Sequence, residues 1–134
     1  MLFFLSFWSA LLTAQIGGAK FERLAGKSGL SLSTVRSILQ DQTGFLWFGT
    51  DDGLNRYDGY SFKIYKRQPH DSNSLSHNMI WCLCEDRNGI LWIGTEMGLN
   101  SLDPKKERFQ RYLNEPGQTN SLSHNSVRAL CEDL

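Results

Sequence analysis

Residues 80–103 read IWCLCEDRNGILWIGTEMGLNSLD, and residues 35–58 read VRSILQDQTGFLWFGTDDGLNRYD. The two stretches align without a gap at an offset of 45 residues. A fixed period of about 20–50 residues is typical of proteins that are built from stacked structural units, so this repeat decides the fold. The residues of the shared pattern are Asp41, Gly44, Trp47, Gly49 and Gly53 in the first copy, and Asp86, Gly89, Trp92, Gly94 and Gly98 in the second.

A third copy begins near the end of the sequence. Residues 127–133 read VRALCED and align with the start of the second copy at an offset of 47 residues. The segment before each later copy also repeats, because SLSHN at residues 74–78 returns at residues 121–125. The repeating unit therefore includes its linker.

Each full copy contains four short apolar stretches separated by turn residues. In the first copy these stretches are residues 35–40, 45–50, 54–58 and 62–65. The turns between them contain glycine, which adopts positive φ easily and suits a tight hairpin. No stretch has a sustained helical period. The pattern therefore predicts four antiparallel strands in each copy.

Four-stranded units of this length match the blades of a β-propeller, which run about 40–50 residues. The predicted fold class is all-β, a partial β-propeller with two complete four-stranded antiparallel blades plus flanking strands. The predicted segments are a leading segment with an outer strand at residues 15–34, blade 1 with its linker at 35–79, blade 2 with its linker at 80–126, and the first strand of a truncated third blade at 127–134.

The amino terminus predicts export. Residues 2–12 form an uncharged apolar block that is short for a permanent membrane anchor, and Ala14 offers a small residue for cleavage. Residues 1–14 are therefore interpreted as a signal peptide, and the mature chain is expected in the periplasm. No lysine or arginine precedes the apolar block, which is unusual for a signal peptide. A retained membrane anchor is the alternative.

Composition excludes several classes of function. The chain has 14 basic and 14 acidic residues, so it lacks the positive field that gathers nucleic acid. Cys82, Cys84 and Cys131 are an odd set without a second converging ligand pair, which predicts neither a disulfide framework nor a metal site. His77 and His124 recur in the linkers and are interpreted as turn residues that bond to local backbone groups. We expect no catalytic residues and no cofactor.

One position changes its chemistry while the surrounding pattern holds. Trp81 aligns with Arg36 in the first copy and with Arg128 in the third. We therefore predict that Arg36, Trp81 and Arg128 contact a ligand. Trp47 and Trp92 recur at the middle of a strand and are interpreted as packing residues between blades. The acidic residues Asp51, Asp52 and Glu96 lie in hairpin turns, where carboxylates are usually solvated.

At residues 41–55 and 86–100 the chain resembles the two-component regulator propeller repeat, with its acidic residue, turn glycine, Leu-Trp-Ile/Phe-Gly-Thr and Gly-Leu. The resemblance implies the periplasmic sensor region of a hybrid histidine kinase of Bacteroidetes-type bacteria. It also implies a small molecule or oligosaccharide as ligand, further blades as packing partners, and anchoring in the inner membrane and homodimerisation in the full-length sensor. This chain itself contains no phosphoacceptor histidine region or nucleotide site, so we expect it to be non-enzymatic.

Two alternatives to a sensor remain open. The sequence D-x-[TN]-G-[FI]-L-W also resembles the tryptophan-docking repeat of quinoprotein dehydrogenases, which would make the chain part of an exported propeller enzyme with a quinone cofactor. The other alternative is a structural propeller scaffold that binds no small ligand.

Overall fold

The computed structural model describes residue 29 and residues 34–133. The predicted signal peptide and the leading strand expected at residues 21–24 lie outside the described residues. Within the described part of the chain there are eight strands and no helix. The strands are β1 Val35–Gln40, β2 Leu46–Thr50, β3 Gly53–Tyr57, β4 Phe62–Tyr65, β5 Ile80–Glu85, β6 Leu91–Thr95, β7 Gly98–Asp103 and β8 Arg108–Tyr112.

The strands form two antiparallel sheets of four, with the orders β1-β2-β3-β4 and β5-β6-β7-β8. The register of the two sheets is the same. Trp47 lies opposite Leu39 and Arg56 in the first sheet, and Trp92 lies opposite Cys84 and Ser101 in the second. The sheets are blades 1 and 2, and the predicted all-β, partial propeller fold with two complete blades is confirmed.

The Gly-Thr pair at the end of β2 has two separate roles. Thr50 donates its hydroxyl to the carbonyl of Gly53 over 2.9 Å and closes the hairpin, in which Gly53 has a φ of 121°. Gly49 gives room, because a Cβ at this position would lie 2.6 Å from a methyl carbon of Ile80 in blade 2. The repeat therefore uses this glycine to bring adjacent blades into contact.

The hydrophobic core lies between the blades. Along β2 and β6 successive side chains point to opposite sides of the sheet. Trp47 therefore points from blade 1 toward blade 2, while Leu91 and Ile93 point from blade 2 toward blade 1. The buried cluster comprises Trp47, Leu54, Leu75, Ile80, Leu91, Ile93, Leu102 and Phe109. Burial of this cluster against a second blade gives each sheet a core that it lacks alone.

Polar contacts also join the blades at their outer side. Glu107 has a φ of 50°, and its carboxylate accepts from the amine of Lys63 at 2.5 and 2.6 Å and from the hydroxyl of Tyr65 at 3.3 Å. Arg111 of β8 donates to the carbonyls of Asp71 and Ser74 at 2.7 Å each. These hydrogen bonds therefore fix the linker between the blades to blade 2.

Residues 127–133 lie beside blade 2 in the place that β5 takes beside blade 1. The main-chain amide of Gly98 donates to Asn125 over 2.6 Å, as that of Gly53 donates to Asn78 over 2.8 Å. The segment has no ladder partner among the described residues and is not a strand there. The positions that would pair with it, by analogy with β6, fall after residue 134. Its assignment as the first strand of a third blade therefore stays a prediction.

The two equivalent tryptophans differ in burial. Trp47 has no exposed surface, as predicted, whereas Trp92 is only partly buried. Tyr65 stacks on Trp47 and is itself met by Phe109 of blade 2. Trp92 has the equivalent contact with Tyr112, but no described blade packs over that pair.

Candidate ligand-binding site

The site is built on an irregularity that both inner strands share. In blade 1, Val35 pairs with Thr50 and Ser37 pairs with Gly49, so Arg36 has no partner in the ladder. Trp81 occupies the same unpaired position in β5. Such a β-bulge redirects the side chain of the extra residue. In each blade, one residue of the inner strand therefore does not follow the regular alternation of side chains along the strand.

The released side chains meet in a column that runs from blade to blade. The guanidinium carbon of Arg36 lies 4.5 Å from the centroid of the Trp81 ring, and that of Arg128 lies 4.7 Å from it. The two arginines contact opposite faces of the indole, because β1 and residues 127–133 flank β5 on its two sides. Cations over an indole face are attracted by the ring quadrupole. We call these three residues the Arg-Trp-Arg column.

Acidic residues from the neighbouring hairpins complete the site. Arg36 donates its Nε to a carboxylate oxygen of Asp51, and Trp81 donates its Nε1 to Oε2 of Glu96 over 2.7 Å. The hydroxyl of Ser126 donates to the same Glu96 oxygen over 3.1 Å. The Nε of Arg128 then donates to the Ser126 hydroxyl over 3.3 Å. The column is thus fixed from both hairpins.

These hydrogen bonds set the charges of the site. The bond with Asp51 raises the pKa of Arg36. The bonds from Trp81 and Ser126 lower the pKa of Glu96. Arg36 and Glu96 are therefore both ionised at neutral pH.

The three residues predicted as ligand contacts are thus neighbours in the structure. The turn carboxylates Asp51, Asp52 and Glu96 are partly exposed to solvent. Each also has a protein partner, because Asp51 bonds Arg36, Asp52 pairs with Lys66 and Glu96 bonds Trp81. A signal for two of them was present in the sequence: Asp51 and Glu96 both directly follow the Gly-Thr pair. Ser126 gave no signal of this kind.

The other residues considered from the sequence have structural contacts. Trp47 donates its Nε1 to Asp41 over 2.8 Å in the core. His77 and His124 each accept the main-chain N–H of the residue two positions later, at 3.1 and 3.0 Å, as the turn interpretation predicts. Among the residues that the structure describes, no group of three or more His, Cys, Asp or Glu side chains could hold a metal ion.

No helix that could cross a membrane occurs in residue 29 or in residues 34–133. A curated relative, a histidine kinase from Formosa agariphila, is 48% identical over 71 residues. That match covers 53% of this chain and 5% of the kinase. This chain is therefore similar to a small part of a much longer protein.

Solved structures show the same relationship. The extracellular domain of a hybrid two component system from B. thetaiotaomicron matches with a TM-score of 0.73 and 36% identity, over 79% of this chain and 15% of that chain. A second hybrid two component system from the same organism gives a TM-score of 0.52 and 30% identity over 66% of this chain and 13% of its own.

A family model described as the two component regulator propeller matches residues 29–52 and 74–97. The first match runs from residue 29 through β1 and β2, and the second begins in the linker between the blades and runs through β5 and β6. Each ends in the hairpin that carries Asp51 or Glu96. The matched segments therefore include Arg36 and Trp81 together with the Asp41–Trp47 and Asp86–Trp92 pairs. Residues 29–52 and 74–97 of this chain are therefore similar to the two-component regulator propeller family.

Proposed function

We propose that this chain is part of an extracytoplasmic, ligand-sensing β-propeller of a two-component signal transduction protein. The chain itself is non-enzymatic, and any kinase activity belongs to other parts of such a protein. Anchoring in the inner membrane and homodimerisation belong to the same proposal for the full-length sensor.

One observation carries the proposal. The position whose chemistry varies between repeats is the position at which Arg36, Trp81 and Arg128 stack on each other. The surrounding fold is similar to extracellular domains of hybrid two component systems, over 79% of this chain in one case. A variable polar column on a constant framework is the arrangement expected of a binding module, because loops and irregularities carry function while regular strands carry stability.

The alternatives receive less support. The motif shared with quinoprotein dehydrogenases has a structural explanation here, since Asp41 and Asp86 bind the indole N–H groups of Trp47 and Trp92. A scaffold without a ligand has no need for the charged column.

Export is tested by fusing residues 1–134 to an alkaline phosphatase that lacks its own signal. Phosphatase activity is expected from this fusion and is not expected from a matched fusion that begins at residue 35. Equal inactivity of the two fusions would contradict the extracytoplasmic location.

Ligand sensing is tested by thermal shift of the 134-residue chain against a small-molecule library that contains acidic, basic and neutral compounds. At least one compound should raise the unfolding temperature of the unaltered chain and leave the Trp81→Ala variant unchanged. The absence of any such compound would favour the scaffold.

A further inference from the structure

Trp81 is closed to a stacked ligand. Arg36 and Arg128 cover its two faces at 4.5 and 4.7 Å, and Glu96 accepts its N–H. A flat ring therefore cannot stack on this indole without displacing an arginine. The groups left for recognition are the guanidinium groups themselves.

Each guanidinium group has N–H donors that bond to no described residue. Arg36 uses its Nε for Asp51, and Arg128 uses its Nε for Ser126. Among the residues that the structure describes, the Nη groups of both arginines have no protein acceptor. Both side chains reach solvent, and that of Arg36 is 32% exposed. A guanidinium held by its Nε still presents further N–H donors with the geometry that suits a carboxylate.

The indole keeps the two cations apart on fixed sides. Because each arginine lies over a different face of Trp81, one anionic group cannot take the donors of both. Asp51 and Ser126 accept only from the Nε atoms of the two arginines, and no described residue accepts from their Nη groups. Two acidic groups of one molecule can therefore bind one arginine each.

We propose that the Arg-Trp-Arg column is a binding site for a small ligand that carries two acidic groups, such as a dicarboxylate, with one group on each guanidinium. The inference rests on the proposed role as a ligand-sensing module and names the chemical class of its ligand. Trp81 acts as the spacer between the two cations, and the hairpin carboxylates Asp51 and Glu96 orient the column.

The test uses the full 134-residue chain and equilibrium dialysis, which measures binding whether or not the chain associates. The probes are adipate, the monocarboxylate hexanoate and the neutral adipamide, at constant ionic strength. We expect adipate to bind about tenfold more tightly than hexanoate, the difference contributed by one charged hydrogen-bonding group. Adipamide should not bind measurably.

Arg36→Gln and Arg128→Gln should each reduce the affinity for adipate to that for hexanoate. Arg108→Gln is the matched control, because Arg108 is an exposed arginine of β8 outside the column, and it should leave the affinity unchanged. Circular dichroism checks that each variant retains its sheet. As a second readout in the unaltered chain, the Trp81 Nε1–H signal in ¹H–¹⁵N spectra should shift with adipate and stay in place with adipamide.

Three outcomes overturn the inference: equal binding of adipate and adipamide, unchanged adipate affinity in both glutamine variants, or no binding of adipate together with an unmoved Trp81 signal. Each is distinct from failure of the proposed function. A neutral library compound whose thermal shift depends on Trp81 would support sensing and overturn only the acidic ligand class.

Discussion

Trp47 donates its indole N–H to Asp41 over 2.8 Å and has no surface exposed to solvent. The other oxygen of Asp41 accepts the main-chain N–H of Thr43 at 2.9 Å and that of Phe45 at 3.0 Å. One carboxylate thus closes the β1–β2 turn and fixes the core tryptophan. Burial alone would raise the pKa of Asp41, but these hydrogen bonds outweigh it and lower the pKa.

Asp41→Asn should therefore lower the free energy of unfolding by about 1–3 kcal/mol, the usual cost of a buried group left without its partner. The asparagine amide has one acceptor oxygen, whereas the carboxylate has two. In either orientation its amino group therefore faces an N–H group, that of Trp47 or those of the main chain, with which it cannot form a hydrogen bond. Urea denaturation measures the loss.

Asp86→Asn is the matched comparison. It makes the same replacement beside Trp92, which is only partly buried, so water can replace the lost partner and the loss should be smaller. Equal losses for the two variants would contradict the view that burial by the adjacent blade decides the cost.

The linker clamp gives a second prediction. Arg111→Ala removes charged hydrogen bonds to the carbonyls of Asp71 and Ser74 and to the Ser74 hydroxyl. We expect unfolding to become easier by about 1.5–3 kcal/mol and the linker at residues 66–79 to be cut faster by protease. Arg108→Ala, at an exposed position of the same strand, is the control. Equal behaviour of the two alanine variants would show that the clamp adds no stability.

Acid should destabilise the folded chain. The hydrogen bond and charge of Lys63 lower the pKa of Glu107, and hydrogen bonds lower that of Asp86 despite its burial. A carboxylate whose pKa is lower in the folded state stabilises the fold above its unfolded value, about 4, and loses this contribution as the pH falls through its folded value. The contribution of Glu85 to stability has the opposite pH dependence, because burial raises the pKa of this residue.

The measurement is the free energy of unfolding between pH 7 and pH 2, by urea titration. Stability should hold near neutrality and fall below about pH 4. Glu107→Gln should flatten this fall, whereas Glu115→Gln, at an exposed side chain, should leave it unchanged. A fall of the same size in Glu107→Gln and the unaltered chain would refute the role of the Lys63 contact.

The open side of blade 2 predicts self-association of the isolated chain. Three adjoining grooves of about 410, 320 and 310 Å³ include Trp92 in their walls, and Leu99 and Tyr112 contribute to the first. Exposed apolar surface of this kind promotes association. Sedimentation velocity should show oligomers or aggregates.

Leu99→Lys with Tyr112→Lys should reduce that association. Met97→Lys, at an exposed turn residue outside the grooves, should not. A monomer with one cooperative unfolding transition in the unaltered chain would show that the two blades are sufficient on their own.

The sequence predicted the blades well because their determinants are local. Turn glycines such as Gly53 mark the hairpins, and the recurrence of Trp47 and Trp92 at the middle of a strand indicates packing residues. The column was predicted only as three aligned positions. That Trp81 lies between Arg36 and Arg128 depends on how adjacent blades stack, which strand patterns do not encode.

The partners of Glu107 and Arg111 were missed for the same reason. Glu107 is the last residue of the turn between β7 and β8, and it reaches Lys63, which lies 44 residues away in the other blade. Arg111 aligns with Ile64, so the repeat itself gave no hint of the clamp. Contacts that differ between copies cannot be inferred from what the copies share.

Because the residue at the unpaired position of each inner strand takes no part in strand pairing, the binding chemistry can change independently of the fold. Arg36 and Trp81 have no ladder partner to match, so an exchange there leaves the pairing of β1 with β2 and of β5 with β6 intact. Duplication of such a unit produces further copies of the same backbone, each with one position at which the residue can be exchanged. A propeller built from these units can therefore change the chemistry of its binding site by single substitutions, while its fold stays the same.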